Sequence, residues 1–470
     1  MSSPDPNHRA KASTCVVGVA GERDGRTVRP VRFRASDAAA ATGGRLVGDD
    51  VELAGASFDS RTLNPGQLFV PIVADRDGHE FISAAAGAGA AATLTAQGSA
   101  AAVASGLSAI EVIDTSQALM DLARWAAGRL DAVVVGITGS VGKTTTKDFA
   151  AAAIRSGRAV TANHRSNNNE QGLPVTVLNA ADDTEVLVLE MGMRGFGEIR
   201  RLCTVAPPTL GVVTSIAAAH TARLGGIDGV ARAKAELIEA LPEHGVAILN
   251  ADDSRVRSMA TRTSAGSITY GESADADVRI DDVDLDDLAR PSFRVRTPWG
   301  RTDVALRVSG RHMVGNAAAA IAAAGALGVD LASAAEAVGA ADLSASRMAL
   351  HTLPSGAVVI DDAYNANPAS MAAALDALLA MPATRLVAIV GLMAELENPS
   401  EAHTAVATRA AEHGIELIAV GTDLYGVTPT DDPVAAVGAL GRDTAVLVKG
   451  SRVAALDRVA AALLAASAQP

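Results

Sequence analysis

Lys143 stands in TGSVGKTTTKD, residues 138–148, between an apolar β-branched run that begins at Ala132 and a threonine-rich stretch that reads as the start of a helix. Such an arrangement is a nucleotide-phosphate cradle. Gly139 and Gly142 let backbone N–H groups approach phosphate oxygens, and Ser140 and Thr145 lie in the same turn. The helix N-terminus adds partial positive charge, Lys143 reaches the outer phosphates, and Thr144 can ligate Mg²⁺. The general P-loop pattern places a further glycine five residues before Gly142, where this chain has Ile137, so the match is to the variant GxxGKTT. ATP or GTP chemistry follows.

Other residues could join that chemistry. Glu190 ends the run EVLVLE, and in a parallel sheet the carboxyl ends of strands face the ligand crevice. Its carboxylate is therefore placed for Mg²⁺, or is a solvated strand end. His220 follows TSIAAA toward the same rim, where spacing favours a supporting or surface histidine. Lys234, in ARAKAEL, reads by pattern alone as a lysine on a solvated helix face. The polar run SNNNEQGLP, residues 166–174, contains Asn168 and Asn169. Its amides suit phosphate, sugar or peptide groups, or supply the turn geometry that asparagine favours. Asp361, Asp362, Tyr364, Asn365 and Asn367 crowd the loop after AVVI, a ligand position in a doubly wound sheet, although Asn367-Pro368 also marks a helix start. KGSR, residues 449–452, offers two cations and a hydroxyl to an anionic group, or is a surface basic pair.

The elements that must position these residues are legible as an α/β chain of three domains after a tail over residues 1–30. Residues 31–130 read as a small α/β module: an alanine-rich helix near Ser36 to Thr42, short strands around Leu53 and LFVPIV, and a helix-turn from Phe81 to Ala92. Residues 131–342 alternate apolar runs (AVVVGIT, EVLVLE, TLGVVTSI, VAILN) with helical stretches (Thr145 to Ser156, Gly229 to Leu241). That alternation predicts a parallel-sheet P-loop ATPase domain with crossover helices. Within it, residues 272–308 switch to polar-apolar alternation, which predicts antiparallel strands attached to the parallel core. From 343 to 470, four further strands separated by helices predict a doubly wound, Rossmann-like domain.

Composition narrows the function. The chain has 470 residues, 49% of them hydrophobic, which is ample for several cores. Only 3% are aromatic and the net charge is −13, which argues against a nucleic-acid-binding protein while allowing a locally basic phosphate pocket. Cys15 and Cys203 are the only cysteines, so there is no disulfide framework and no CxxC metal cluster. The alanine-rich run from Ala317 to Val329 is shorter than the ~18 apolar residues of a membrane span. The polar first residues followed by CVVGVAG match a signal peptide poorly. A cytoplasmic enzyme without membrane insertion is expected, acting as a monomer.

Taken together, the motifs resemble the Mur ligase family. They are DSRTLNPGQLFV from Asp59, RDGHEF from Arg76, TGSVGKTTTK, NNNEQGLPVTVL from Asn167, LEMGMRGFGEI from Leu189, AAAH ending at His220, ARAKAEL, LNADD from Leu249, GRHMVGNAAAAIAAA from Gly310, and DDAYNANPASM from Asp361. The resemblance implies ATP-dependent amide formation through an acyl phosphate in peptidoglycan precursor synthesis, with a UDP-muramoyl tripeptide and D-alanyl-D-alanine as substrates. It implies Lys143 and its glycines on the ATP phosphates, Thr144 and Glu190 on one Mg²⁺, and His220 with a carbamylated Lys234 on a second. His312 and Asn316 become adenine-side contacts, Arg347 and Asp362 close onto the nucleotide, and Asp59, Ser60 and Arg61 receive the UDP-sugar. Asn168, Asn169, Tyr364, Asn365 and Asn367 are implied on the substrate side. Ser166 stands where the family carries the first asparagine of an NxNN pattern, and Leu392 where it usually carries an aspartate. Two other readings compete: a Mur-like ligase of a specialised pathway with another carboxylate or amine, and a P-loop regulatory ATPase. The DSR segment speaks against the first. The second gives no reason for the NANP loop or the Lys234 helix.

Overall fold

The structure, a computed structural model, describes residues 31–466 apart from Arg165, Ala219, His220 and the side chain of Ala222. The tail over 1–30 and the metal role expected of His220 therefore lie outside the described residues.

Strand 133–138 organises the molecule. Its sequence, VVVGIT, is β-branched and buried along nearly its whole length, as a strand covered on both faces must be. It lies inside a nine-stranded sheet in the order 300–305, 291–297, 278–285, 266–271, 246–250, 210–213, 133–138, 186–190, 160–162. The strands from 278–285 to 160–162 pair parallel, and 291–297 and 300–305 add an antiparallel extension to 278–285. The chain's next two strands lie on one side of 133–138 and the following ones on the other. Strand order therefore reverses at 133–138, the place where open α/β sheets bind ligands.

A five-stranded sheet precedes it (45–47, 108–111, 92–95, 68–69, 56–57) and another follows (349–352, 358–361, 444–449, 385–390, 416–419). Four strands of the last sheet are those expected, and they are parallel. The fifth, Ala349–Thr352, pairs antiparallel at the edge and was hidden by its short length and by the turn LPSG that follows.

Each face of the central sheet floors a different core. On one side Phe149, Ile154 and the alanines of the helix Met313–Ala326 pack over Val135, Ile137 and Val188, and this core runs on to Met371 and Leu375 beyond residue 343. On the other, Leu187, Leu189 and Leu237 belong to a core that runs out through the helices Gly172–Leu178 and Glu198–Val205 to Leu119, Leu122 and Ala126 of the helix Thr115–Ala127. Each large apolar side chain so buried contributes about 1.5–3 kcal/mol.

Candidate active site

The glycine turn over residues 139–142 follows from strand 133–138 and turns into the helix Lys143–Arg155 at Gly142, whose φ is +83°. A Cβ at Gly142 would lie 2.3 Å from Asn316 Oδ1, so glycine is required here twice, for the left-handed backbone and for the close approach. Gly142→Ala is accordingly expected to weaken ADP binding by about tenfold, since left-handed strain alone is worth roughly 1–2 kcal/mol. Calorimetric titration with ADP checks this, and unaltered affinity would remove Asn316 and Gly142 from the nucleotide site.

Lys143 lies over its own loop, Nζ donating to the carbonyls of Gly139 (2.8 Å) and Ser140 (3.4 Å). Burial holds its pKa below the ordinary lysine value; Glu190 opposes that shift and Arg347 adds to it. One residue on, the Thr144 hydroxyl donates to Glu190 Oε2 at 2.8 Å. Glu190 is only 1% exposed and its other oxygen accepts from the Asn168 amide at 2.6 Å. The solvated strand-end reading of Glu190 is thereby excluded.

Lys234 is also buried, at 2% exposure, on the helix Ile227–Glu239. Gly136 and Gly211 explain why. Leu237 and Ile238 press where a Cβ on those glycines would stand, at 2.7 and 3.2 Å, so the helix lies close on the sheet and brings Lys234 into the same cavity as the 139–142 turn. The solvated-helix reading of this lysine is corrected accordingly. Burial drives its pKa well below the usual lysine range, the Lys143 charge adds to that, and Glu190 opposes it.

Arg347 arrives from the segment joining the central and last sheets. Its neighbours Ser346 (φ +55°) and Met348 (φ +53°) are both left-handed, a conformation that non-glycine residues adopt at a cost. Between them Arg347 donates from Nη2 to Thr144 Oγ1 at 3.0 Å and stacks over the Tyr364 ring at 4.1 Å. The Tyr364 hydroxyl meets that of Ser166, so the residue in place of the usual asparagine makes a contact across the cleft.

These residues line one cavity of about 710 Å³ between the central and last sheets, together with Gly139, Ser140, Thr145, His312, Asn316, Asn169, Asp362, Asn365 and Asn367. Some of them have local duties. Asn169 Oδ1 accepts from the backbone N–H groups of Gln171 and Gly172. Asn367 caps the helix Pro368–Leu379 through Ser370, the plain helix-start role of Asn-Pro. Burial lowers the His312 pKa, with the Asp362 carboxylate opposing it.

In KGSR the surface reading holds for Arg452, which is exposed, but not for Lys449. Lys449 is 1% exposed, paired with Asp362 and donating to the Asn365 carbonyl at 2.9 Å, a buried cation that the sequence left undecided because its partner lies far along the chain. The main-chain carbonyl of Leu392 accepts from the Ser451 N–H at 2.9 Å. Asp59, Ser60 and Arg61 lie apart from the cavity, in the turn after strand 56–57, where Arg61 is 85% exposed and holds the Asp59 carboxyl below the usual range.

Sequence comparison matches the Mur ligase middle domain over residues 137–324 and the Mur ligase, glutamate ligase domain over residues 346–469. The chain is 40% identical over 392 residues to the UDP-N-acetylmuramoyl-tripeptide–D-alanyl-D-alanine ligase of Mycobacterium tuberculosis, covering 78% of this chain and 77% of that protein. It is 34% identical over 442 residues to the enzyme of the same name from Escherichia coli, covering 89% and 96%. Among solved structures it is similar to MurF from Acinetobacter baumannii, with a TM-score of 0.83, 26% identity, and coverage of 93% of this chain and 100% of that one. It is also similar to a MurF ligase from Thermotoga maritima in complex with ADP, with a TM-score of 0.75, 26% identity, and coverage of 87% and 97%.

Proposed function

The chain belongs to the Mur ligase family, and from that premise we propose that it joins D-alanyl-D-alanine to a UDP-N-acetylmuramoyl tripeptide with hydrolysis of ATP. The observation that carries the reading is the convergence of Lys143, Thr144, Glu190, Lys234 and Arg347 on one cavity, closed on its far side by the DDAYNANP loop.

In the first step the tripeptide's terminal carboxylate attacks the γ-phosphorus of ATP, giving an acyl phosphate and ADP. In the second, the dipeptide's amine attacks the acyl carbon, and inorganic phosphate leaves as the amine proton is released. The chain's part is positioning and charge. Backbone N–H groups of the loop and the Lys143 ammonium take up phosphate charge, and Arg347 adds a second cation from the joining segment. Tyr364 and Ser166, in contact across the cleft, narrow the route by which water would reach the acyl phosphate.

The donor set at Thr144 and Glu190 is all oxygen, 2.8 Å apart, which suits a hard cation such as Mg²⁺ held jointly with phosphate oxygens and water. Among the described residues no cluster of three or more His, Cys, Asp or Glu is placed to hold a metal alone, in keeping with such sharing. When bound, Mg²⁺ supplies charge neutralisation of the phosphates. We assign Lys234, carried as the carbamate, and His220 to a second Mg²⁺. Burial supports this for Lys234, because a neutral amine is the form that takes up CO₂. Asp59, Ser60 and Arg61 are assigned to the UDP-sugar. The working compartment we infer is the cytoplasm, and no helix among the described residues is long and apolar enough to cross a membrane.

The deciding experiment is ATP-dependent phosphate release with UDP-muramoyl tripeptide, with and without D-alanyl-D-alanine, with the product identified by mass. Release that needs both and yields the pentapeptide nucleotide is expected. Turnover stimulated by neither would move the assignment to an amide ligase with other substrates.

A further inference from the structure

Lys147 and Asp148 lie outside the cavity, yet both are withdrawn from water, their side chains 3% and 12% exposed and 2.6 Å apart. Successive helix residues point about 100° apart, so an adjacent pair does little for the helix itself. Burying an ion pair costs desolvation that mutual attraction seldom repays. What each partner holds explains the arrangement.

Lys147 Nζ donates to the Asn163 carbonyl at 2.9 Å. Asn163, 2% exposed, accepts the Glu190 backbone N–H at 2.6 Å and donates to the Asn167 carbonyl at 2.6 Å. The next residue, Asn168, donates to Glu190 Oε1. Lys147 thus fixes the strand end and the loop that aim the Glu190 carboxylate. Asp148 Oδ2 accepts the Ser344 N–H at 2.8 Å, and three residues further on Arg347 donates to Thr144. Both chains of bonds leave the helix at 147–148 and return to it at Thr144, one turn earlier, whose hydroxyl donates to Glu190 and accepts from Arg347.

We propose that Lys147 and Asp148 are positioning residues that fix Glu190 and Arg347 against Thr144 from opposite sides. The proposal rests on the ligase reading for its consequence in rate, and on geometry alone for its consequence in order. The test compares Lys147→Met, Asp148→Ala and the double variant in the full chain by ligation kinetics, thermal melting and amide hydrogen exchange without ligands. Each single variant breaks the buried ion pair and leaves one of its two charges in place. The double variant removes both charges, and is expected to melt above either single variant.

Its kcat is nevertheless expected to stay at least tenfold below the parent with KM for ATP within threefold. Exchange is expected to quicken at least tenfold in the peptides holding Glu190 and Ser344. Recovery of kcat in step with melting temperature, or unchanged exchange at both peptides, would overturn the proposal. If the parent makes no ligated product, the ligase reading fails while the exchange result still decides this one.

Discussion

Lys143→Ala should lose ATP-dependent phosphate release by on the order of 10²–10³-fold while melting no lower than the parent. The loss follows from position. Arg347, another cation of the cavity, is engaged with Thr144 and Tyr364, whereas Lys143 lies over the loop carbonyls of Gly139 and Ser140. The intact fold follows from energetics. Burial holds the Lys143 pKa below its unfolded value, so its charge is a net cost to folding at neutral pH, and removing it relieves that cost. Phosphate release and melting temperature measured on the same preparation separate the two effects. Parent-like turnover would sink the phosphate-cradle assignment.

Lys234 carries the second large effect. Its folded pKa lies well below the unfolded one, so the folded state binds fewer protons and stability rises with pH between the two values. The penalty is fully present below the folded value and gone above the unfolded value, which places neutral pH inside the penalised range. Lys234→Met is therefore expected to melt at least as high as the parent at pH 7 and to be inactive, a stability–activity trade. Lys234→Ala is expected to be inactive in plain buffer and partly restored by acetate or formate, which can return a carboxylate to the vacated space. Full activity of Lys234→Ala without added carboxylate would make it an ordinary buried lysine.

Short-range signals were the legible ones. The loop, the parallel strands and the position of Glu190 could be placed because strand, glycine turn and helix start are written within a few residues of each other. What escaped is long-range. Lys234 reads as solvated until Gly136 and Gly211 draw its helix onto the sheet, and those glycines lie on other strands. Lys449 is buried because Asp362, 87 residues away, pairs with it. Lys147 shares a helix face with Lys143 by the 3.6-residue period, but its duty depends on Asn163, 16 residues on. That of Asp148 depends on Ser344, 196 residues on. Asn169 and Asn367 show the reverse case, where the plain turn and cap roles of asparagine are occupied in the structure.

The two cores on either face of the central sheet bear on how this chain can be cut and grafted. Leu187 and Leu189 are covered by the helix Gly172–Leu178, Leu237 lies on the helix Ile227–Glu239, and the helix Thr115–Ala127 packs on Gly172–Leu178 and Glu198–Val205 from outside, while Phe149 and its neighbours share a continuous apolar seam with Met371 and Leu375. A cut near residue 131 would lay open the outer faces of helices 172–178 and 198–205, where Val177, Leu178, Ile199 and Leu202 belong to the same apolar core. A chimera that exchanged residues before 130 would have to carry matching helices 172–178 and 198–205 with it, because the seam passes through their side chains.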